Sequence, residues 1–413
     1  MKKDTIDNFK FPFFNIRDVN FGIVLISIYF LLEFGSFHGL HPLTKQLNLP
    51  FLTASLTMLY AFLLVVKGDV DFKSKTTLYF TIFWIFIILY TLAATKGKLV
   101  KEDLIKHSII YWSNYIVIIC SVKKKSQFIL LLDVWLVSVL LSCYHASMQG
   151  GLIWGNRWLK DENHISLVAA TALPFAMMFF VVHKSKIKKF CYVLCLFGYV
   201  TANVIAHSRG GTLSLGLALF LCFVLMKHKI RNAIIIIALI IVGLSYAPPD
   251  FHEEMATLQQ GTEESTASDR IYLWGIAMEM FYDHPLVGVG PLNYPIFFSS
   301  YDKGTRYEYM SNRVAHSTPL QYLAETGVVG LLFFLSFQVP LWQNWRAVVW
   351  ARKPKIPTYF VLIAHACFIS QISFHFGSLF LTLLPYPFYW CLVPFSETWK
   401  NICEKGIAEG GNE

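Results

Sequence analysis

The feature that most constrains this chain is a succession of separate apolar runs, many of them near 18 residues or longer, the length needed to cross a hydrocarbon core of about 30 Å. Their boundaries fall near residues 19–37, 49–66, 77–94, 107–122, 127–144, 165–183, 190–206, 211–226, 231–247, 318–341, 357–375 and 378–396. In lipid every backbone polar group must be satisfied internally, and runs of this length do so as helices. The sequence therefore predicts an all-α polytopic membrane protein of about twelve transmembrane helices. Composition agrees: 55% hydrophobic and 15% charged residues, with mean hydropathy +0.50, lie far from soluble globular proteins. No repeat or linker divides the chain, so residues 1–413 read as a single transmembrane domain. The run at 19–37 is long enough to remain a span rather than a cleaved signal peptide.

The net charge of +9 is not a nucleic-acid signature, because the basic residues cluster in short loops between the runs. Lys67, Lys73 and Lys75 form one group, and Lys123, Lys124 and Lys125 another. Others are Lys184, Lys186, Lys188 and Lys189; Lys227, Lys229 and Arg231; Arg346, Arg352, Lys353 and Lys355. These loops share one side with Lys2, Lys3, Lys10 and Arg17 at the start and with Lys400 and Lys405 near the end. Positive residues mark the cytoplasmic side, so both termini are expected there. The long polar segment 248–316, between the ninth and tenth runs, is expected on the opposite face. The eight cysteines lack metal-ligand spacing and read as small core hydrophobes. Glu33, Asp133, Glu325, His365 and His375 fall inside apolar runs and are expected to face the bundle interior, for structural or functional reasons.

The outer face gathers the residues with chemistry to offer. Arg209, Gly210 and Gly211 occupy a tight turn where glycines free the backbone and a helix begins, an arrangement suited to phosphate. A lone interfacial arginine more commonly snorkels to headgroups. Arg270 is placed in the first turn of a helix capped by Ser268 or Asp269, with Ile271, Trp274, Met278, Phe281 and Tyr282 on its apolar face. A cation against the helix dipole suggests an anionic partner, while a simple pair with Asp269 or Glu264 is the blander possibility. His316 precedes Thr318-Pro319-Leu320-Gln321, which reads as a capping box with proline at the first helical position. A water-accessible ring of near-neutral pKa there suits general-base work. Lys303, Arg306 and Arg313 read as solvated surface charges. No acidic or histidine cluster has ligand spacing, so no metal is expected, and Ser208 and Ser317 do not by themselves make a hydrolase.

At these positions the sequence resembles the O-antigen ligase family, which shares its signature region with Wzy-type O-antigen polymerases. Arg209 is followed four residues later by Leu213. His316-Ser317 is followed by nine residues and then Gly327-Val328-Val329-Gly330. Arg270 with Trp274, and Pro285-Leu286-Val287-Gly288-Val289-Gly290, also fit. The resemblance implies glycosyl transfer on the periplasmic face of the bacterial inner membrane. The donor it implies is O-antigen glycan on undecaprenyl diphosphate, the acceptor a sugar hydroxyl of the lipid A core, and the reaction metal-independent and inverting, without a cofactor. Arg209 and Arg270, with Gly210 and Gly211, would hold the diphosphate, and His316 would orient or deprotonate the acceptor. Membrane lipid is the remaining expected partner. The nearest alternative is an O-antigen polymerase. A polysaccharide transporter or flippase would call for repeat symmetry and midplane polar groups that this sequence does not display.

Overall fold

The computed structural model describes residues 18–36, 46–154, 158–159, 161–256, 265–302, 313–350, 358–382 and 386–409. Within them the chain is helical, with no strand. The helices are α1 (Phe21–Phe34), α2 (Leu49–Val66), α3 (Lys75–Ala94), α4 (Lys98–Ser121), α5 (Lys125–Met148) and α6 (Glu162–Val182). They continue as α7 (Lys186–Ile205), α8 (Arg209–Leu225), α9 (Lys229–Ser245), α10 (Pro249–Ala256), α11 (Ser265–Asp283) and α12 (Tyr294–Tyr301). The last are α13 (Thr318–Val349), α14 (Thr358–Ser378), α15 (Pro387–Trp390) and α16 (Leu392–Glu409).

The protein is a multi-pass α-helical membrane protein, but twelve full spans are not what the helices provide. Among the described residues seven are long and apolar enough to cross a bilayer, or eight if α9 and α10, bent by 110° at their junction, count as one. Two further apolar helices, α1 and α8, are shorter. The differences have local causes. α4 begins nine residues before the expected run and carries Lys98, Lys101, Glu102, Asp103 and Lys106 in its first half. The expected run at 378–396 is interrupted: α14 ends at Ser378, and helix resumes only at Pro387–Trp390 and Leu392–Glu409. α16 extends past the expected run and there carries Glu397, Lys400, Glu404 and Lys405.

α6 is the centre of the bundle, with α7, α8 and α14 packed against it. Its sequence explains why: apolar on all sides and rich in small residues (Ser166, Ala169, Ala170, Ala172, Ala176), it lets neighbours approach closely. The approach is tight enough to specify glycine, since a Cβ at Gly211 of α8 would stand 2.1 Å from the Cβ of Ser166. The ionisable residues of the apolar runs are paired. Asp133 receives Lys188 Nζ at 3.0 Å and Tyr192 OH at 2.8 Å, Glu33 receives Trp158 Nε1 at 2.7 Å, and His375 Nε2 lies 3.2 Å from Tyr389 OH. The cysteines are free thiols, mostly buried, except that Cys120 is partly buried and Cys191 exposed.

The two ends of the bundle differ. At one, Lys124 Nζ contacts Asp18 Oδ1 at 2.7 Å, and Lys73, Lys123, Lys400 and Lys405 surround a common cavity. α3 starts there, where Ser74 Oγ donates to Glu397 at 2.6 Å, and runs 20 residues, about 30 Å, to the other end. At that other end Thr95 Oγ1 donates to Pro291 O and Lys96 N to Asn293 Oδ1, both at 2.8 Å. The segment between α9 and α13 thus packs on the end opposite the lysine loops. It has a core of its own, built by Leu273, Ile276, Ala277 and Met280 of α11 with Tyr294, Phe298, Ala315 and Ala324. That face differs from the expected one: Ile271 and Tyr282 are exposed, and the buried positions follow an i, i+3, i+4, i+7 stripe.

Candidate active site

Three helix starts meet at the end away from the lysine loops. Ser208 caps α8, its Oγ accepting from Gly211 N at 3.0 Å and donating to Asn163 Oδ1 at 2.7 Å. Asn163 belongs to the first turn of α6, whose cap Asp161 accepts from Asn163 N at 2.8 Å and Nδ2 at 2.9 Å. The starts of α6 and α8 are thereby tied through one amide. α13 is joined to them by the stretch after α14: Thr318 Oγ1 donates to Leu381 O, Thr382 Oγ1 donates to Gln321 Oε1 at 3.0 Å, and Tyr386 OH donates to His164 O at 3.2 Å.

Arg209 opens α8 and its side chain is only 12% exposed, so it does not snorkel; its Nε is 2.8 Å from Glu254 Oε1 of α10. Gly210 and Gly211 do not provide the backbone freedom expected of them, since neither has positive φ. They are small because the site is crowded: a Cβ at Gly210 would stand 3.2 Å from Phe380 Cβ. Gly211 N–H is already taken by Ser208, which removes it from an anion cradle. The left-handed backbone falls instead on His207 and His316, both at φ 49°, a conformation that costs a non-glycine residue of order 1 kcal/mol and clusters at functional sites.

His316 is half-buried rather than open to water. Burial first, and then the positive charges of Arg270 and Arg313, hold its imidazole below the ordinary histidine range, with Asp161 opposing them. At neutral pH the ring is therefore uncharged and able to take a proton. Arg270 lies in the second turn of α11, not the first, because the helix begins at Ser265; Ser268 and Asp269 do not cap it, and the dipole argument for its anionic partner falls. Its place is set instead by the buried stripe, three residues before Leu273, which turns it toward His316. The structure thus places Arg270 within electrostatic range of His316. Arg209 reaches them through neighbours: Glu254 is within electrostatic range of Glu162, and the adjacent Asp161 acts on His316. The sequence assigns Asp161 and Glu254 no part in this site, and Arg313 a place among the solvated surface charges. Arg313, three residues before His316, had a positional signal; the acids, remote in sequence, had none. Lys303, Arg306 and Glu264 lie outside the described residues.

The glycine motifs position the histidine. The turn Pro285–Gly290 lies against a break in α13 at Gly327, whose φ is 62° and ψ −165°. Four backbone bonds join them: Val289 N to Ala324 O, Gly290 N to Glu325 O, Val328 N to Pro285 O (each 2.9 Å) and Val329 N to Leu286 O (3.0 Å). A Cβ at Gly288 would stand 2.4 Å from the Glu325 carbonyl carbon, and one at Gly327 2.4 Å from that of Leu286. The buried Glu325 carboxylate accepts from Leu292 N at 2.9 Å, Tyr294 N at 3.1 Å and Gln321 Nε2 at 2.9 Å. Gln321 Oε1 in turn accepts from Ala315 N at 3.0 Å. Thr318 is therefore not the cap of a capping box; Ser317 is the N-cap, without a side-chain bond, and Gln321 reaches past it to the residue before His316.

Beside the start of α13 an apolar cavity of about 230 Å³ is lined by Pro319, Tyr322, Phe334, Phe374, Leu379 and Trp390, with His375 at its wall. Among the described residues no three His, Cys, Asp or Glu side chains are grouped to hold a metal. No curated protein matches the sequence. Residues 191–335, the stretch holding Arg209, Arg270, His316 and both glycine motifs, match the family model described as O-antigen ligase.

Proposed function

We propose that the protein is an O-antigen ligase of the bacterial inner membrane, acting on the periplasmic side with both termini cytoplasmic. The observation that carries this reading is the half-buried His316 at the start of α13, within electrostatic range of Arg270 and inside the family-matched stretch. The donor is O-antigen glycan on undecaprenyl diphosphate, and the acceptor is a hydroxyl of the lipid A core. The hydroxyl oxygen attacks the anomeric carbon as its proton passes to the His316 imidazole. The bond from that carbon to the diphosphate oxygen breaks, inverting the configuration and releasing undecaprenyl diphosphate. Arg270 and Arg209 stay protonated throughout and stabilise the negative charge that grows on the leaving diphosphate. For Arg209 this means exchanging or sharing Glu254, which keeps its guanidinium oriented until the donor arrives. The apolar cavity beside Pro319 offers the donor's polyprenyl chain an environment next to the reacting end. No divalent cation is needed in this scheme, because the arginines supply the countercharge.

The experiment is to make Arg209→Ala or His316→Ala the sole copy in the cell and examine lipopolysaccharide on a gel. A ligase variant leaves bare lipid A core and accumulates lipid-linked polymer. Core capped by one repeat unit would assign the protein instead as a polymerase, which the family match accommodates equally. Unaltered lipopolysaccharide in both variants overturns both readings.

A further inference from the structure

At the opposite end of the bundle, α9 and the loop before it form an open groove of about 760 Å³ with the end of α6 and the start of α7. Its floor is apolar, from Phe180, Val181, Ile234 and Ile235, and its rim carries Lys189, Lys229 and Arg231, with no acidic residue in the lining. Lys229 is partly engaged, its Nζ donating to Phe223 O at 2.7 Å and Met226 O at 3.1 Å, so it caps the end of α8. Arg231 is different. Its Nε and Nη2 are buried from solvent, and among the described residues neither has a hydrogen-bond partner. A guanidinium does not escape burial by losing its proton, and unpaired buried donors are costly. The partner that fits is an anion with two oxygens in one plane, above apolar chains running down the groove.

We infer that this groove is a binding site for an anionic glycerophospholipid of the leaflet at the lysine-rich end. Its phosphodiester is held by Arg231 and Lys189, and its acyl chains lie against Phe180, Ile234 and Ile235. The site lies across the bundle from His316 and does not depend on the reaction assigned there. A phosphodiester pairs with the Arg231 fork in a bidentate geometry that a lysine ammonium does not reproduce. Basic pockets between helices at the cytoplasmic side are a general mode of anionic-lipid recognition.

The test uses the full chain reconstituted in nanodiscs of phosphatidylcholine or of phosphatidylcholine with phosphatidylglycerol, following thermal unfolding. Phosphatidylglycerol is expected to raise the wild-type midpoint. Arg231→Met should reverse the order of the two proteins: more stable than wild type in phosphatidylcholine, where the burial cost is removed, and less stable in phosphatidylglycerol. Arg231→Lys and Lys189→Gln should each weaken phosphatidylglycerol retention, read by native mass spectrometry, by about tenfold, the loss of one charge-assisted bond. Lys73→Gln, a basic residue at the same end but outside the groove, should leave it unchanged. An equal wild-type midpoint in both lipids, undiminished retention by both Arg231→Lys and Lys189→Gln, or the same stabilisation from inorganic phosphate in phosphatidylcholine discs would overturn the proposal.

Discussion

At the scale of single residues, the environment of His316 makes a signed prediction. Burial and the charges of Arg270 and Arg313 lower its pKa, while Asp161 raises it. A general base works in its neutral form, so activity fails on the acid side as the ring protonates. Removing a positive neighbour with Arg313→Gln raises the pKa and should move the acid limb of the rate–pH profile to higher pH. Removing the negative neighbour with Asp161→Asn should move the same limb to lower pH. Both are read from transfer rates of the purified enzyme on lipid-linked donor across about pH 4–8, a window weighted to the acid side of the free histidine value of about 6.5. Limbs that stay in place in both variants would remove His316 as the titrating group. Sequence reasoning singled out the histidine because its neighbours in the chain marked a helix start. Arg313 reads in sequence as surface charge, although its place three residues before His316 already lies within electrostatic reach of the ring.

At the scale of elements, the turn Pro285–Gly290 and the break in α13 form one clasp. Gly288→Ala or Gly327→Ala combines a positive φ with a Cβ placed 2.4 Å from a backbone carbon, neither of which a rotamer change relieves. Each should destabilise the protein by about 2–4 kcal/mol, seen as a lower unfolding midpoint in detergent. Gly216→Ala in α8, where an added Cβ meets open space, is the control and should be neutral or stabilising by about 0.5–1 kcal/mol. Glu325→Leu strands three donors that now share its carboxylate, at about 1–3 kcal/mol each, whereas Glu325→Gln keeps one acceptor oxygen and should lose less. If Glu325→Leu melts with the wild type, the carboxylate is not what holds the turn. The motif spacing was visible in the chain, and its physical content was not. At Gly210 and Gly211 the sequence suggests backbone freedom, where the fold requires smallness. At Gly288 and Gly327 the fold requires both smallness and a left-handed backbone.

At the scale of the whole molecule, the two ends of the bundle are chemically distinct, lysine loops at one and the site at the other. With native cysteines replaced, a cysteine at Asp302 should react with an impermeant maleimide from outside intact spheroplasts. One at Lys124 should react only after permeabilisation, and the reverse pattern would invert the proposed orientation. What the sequence determined alone is the class of fold, because apolar length and the need to satisfy backbone groups in lipid leave little but helices. It also placed Arg209 and His316 at helix starts, because those are local signals. The tertiary structure decided how many helices are long and apolar enough to span, which face of α11 is buried, and which charges surround His316. Those outcomes depend on contacts between residues far apart in the chain: Asp161 precedes His316 by more than a hundred positions, and Glu254 meets Arg209 only after α9 has crossed and α10 has turned back. Periodicity and loop charge act over a few turns of helix, whereas such pairings are set by how the assembled bundle packs around α6.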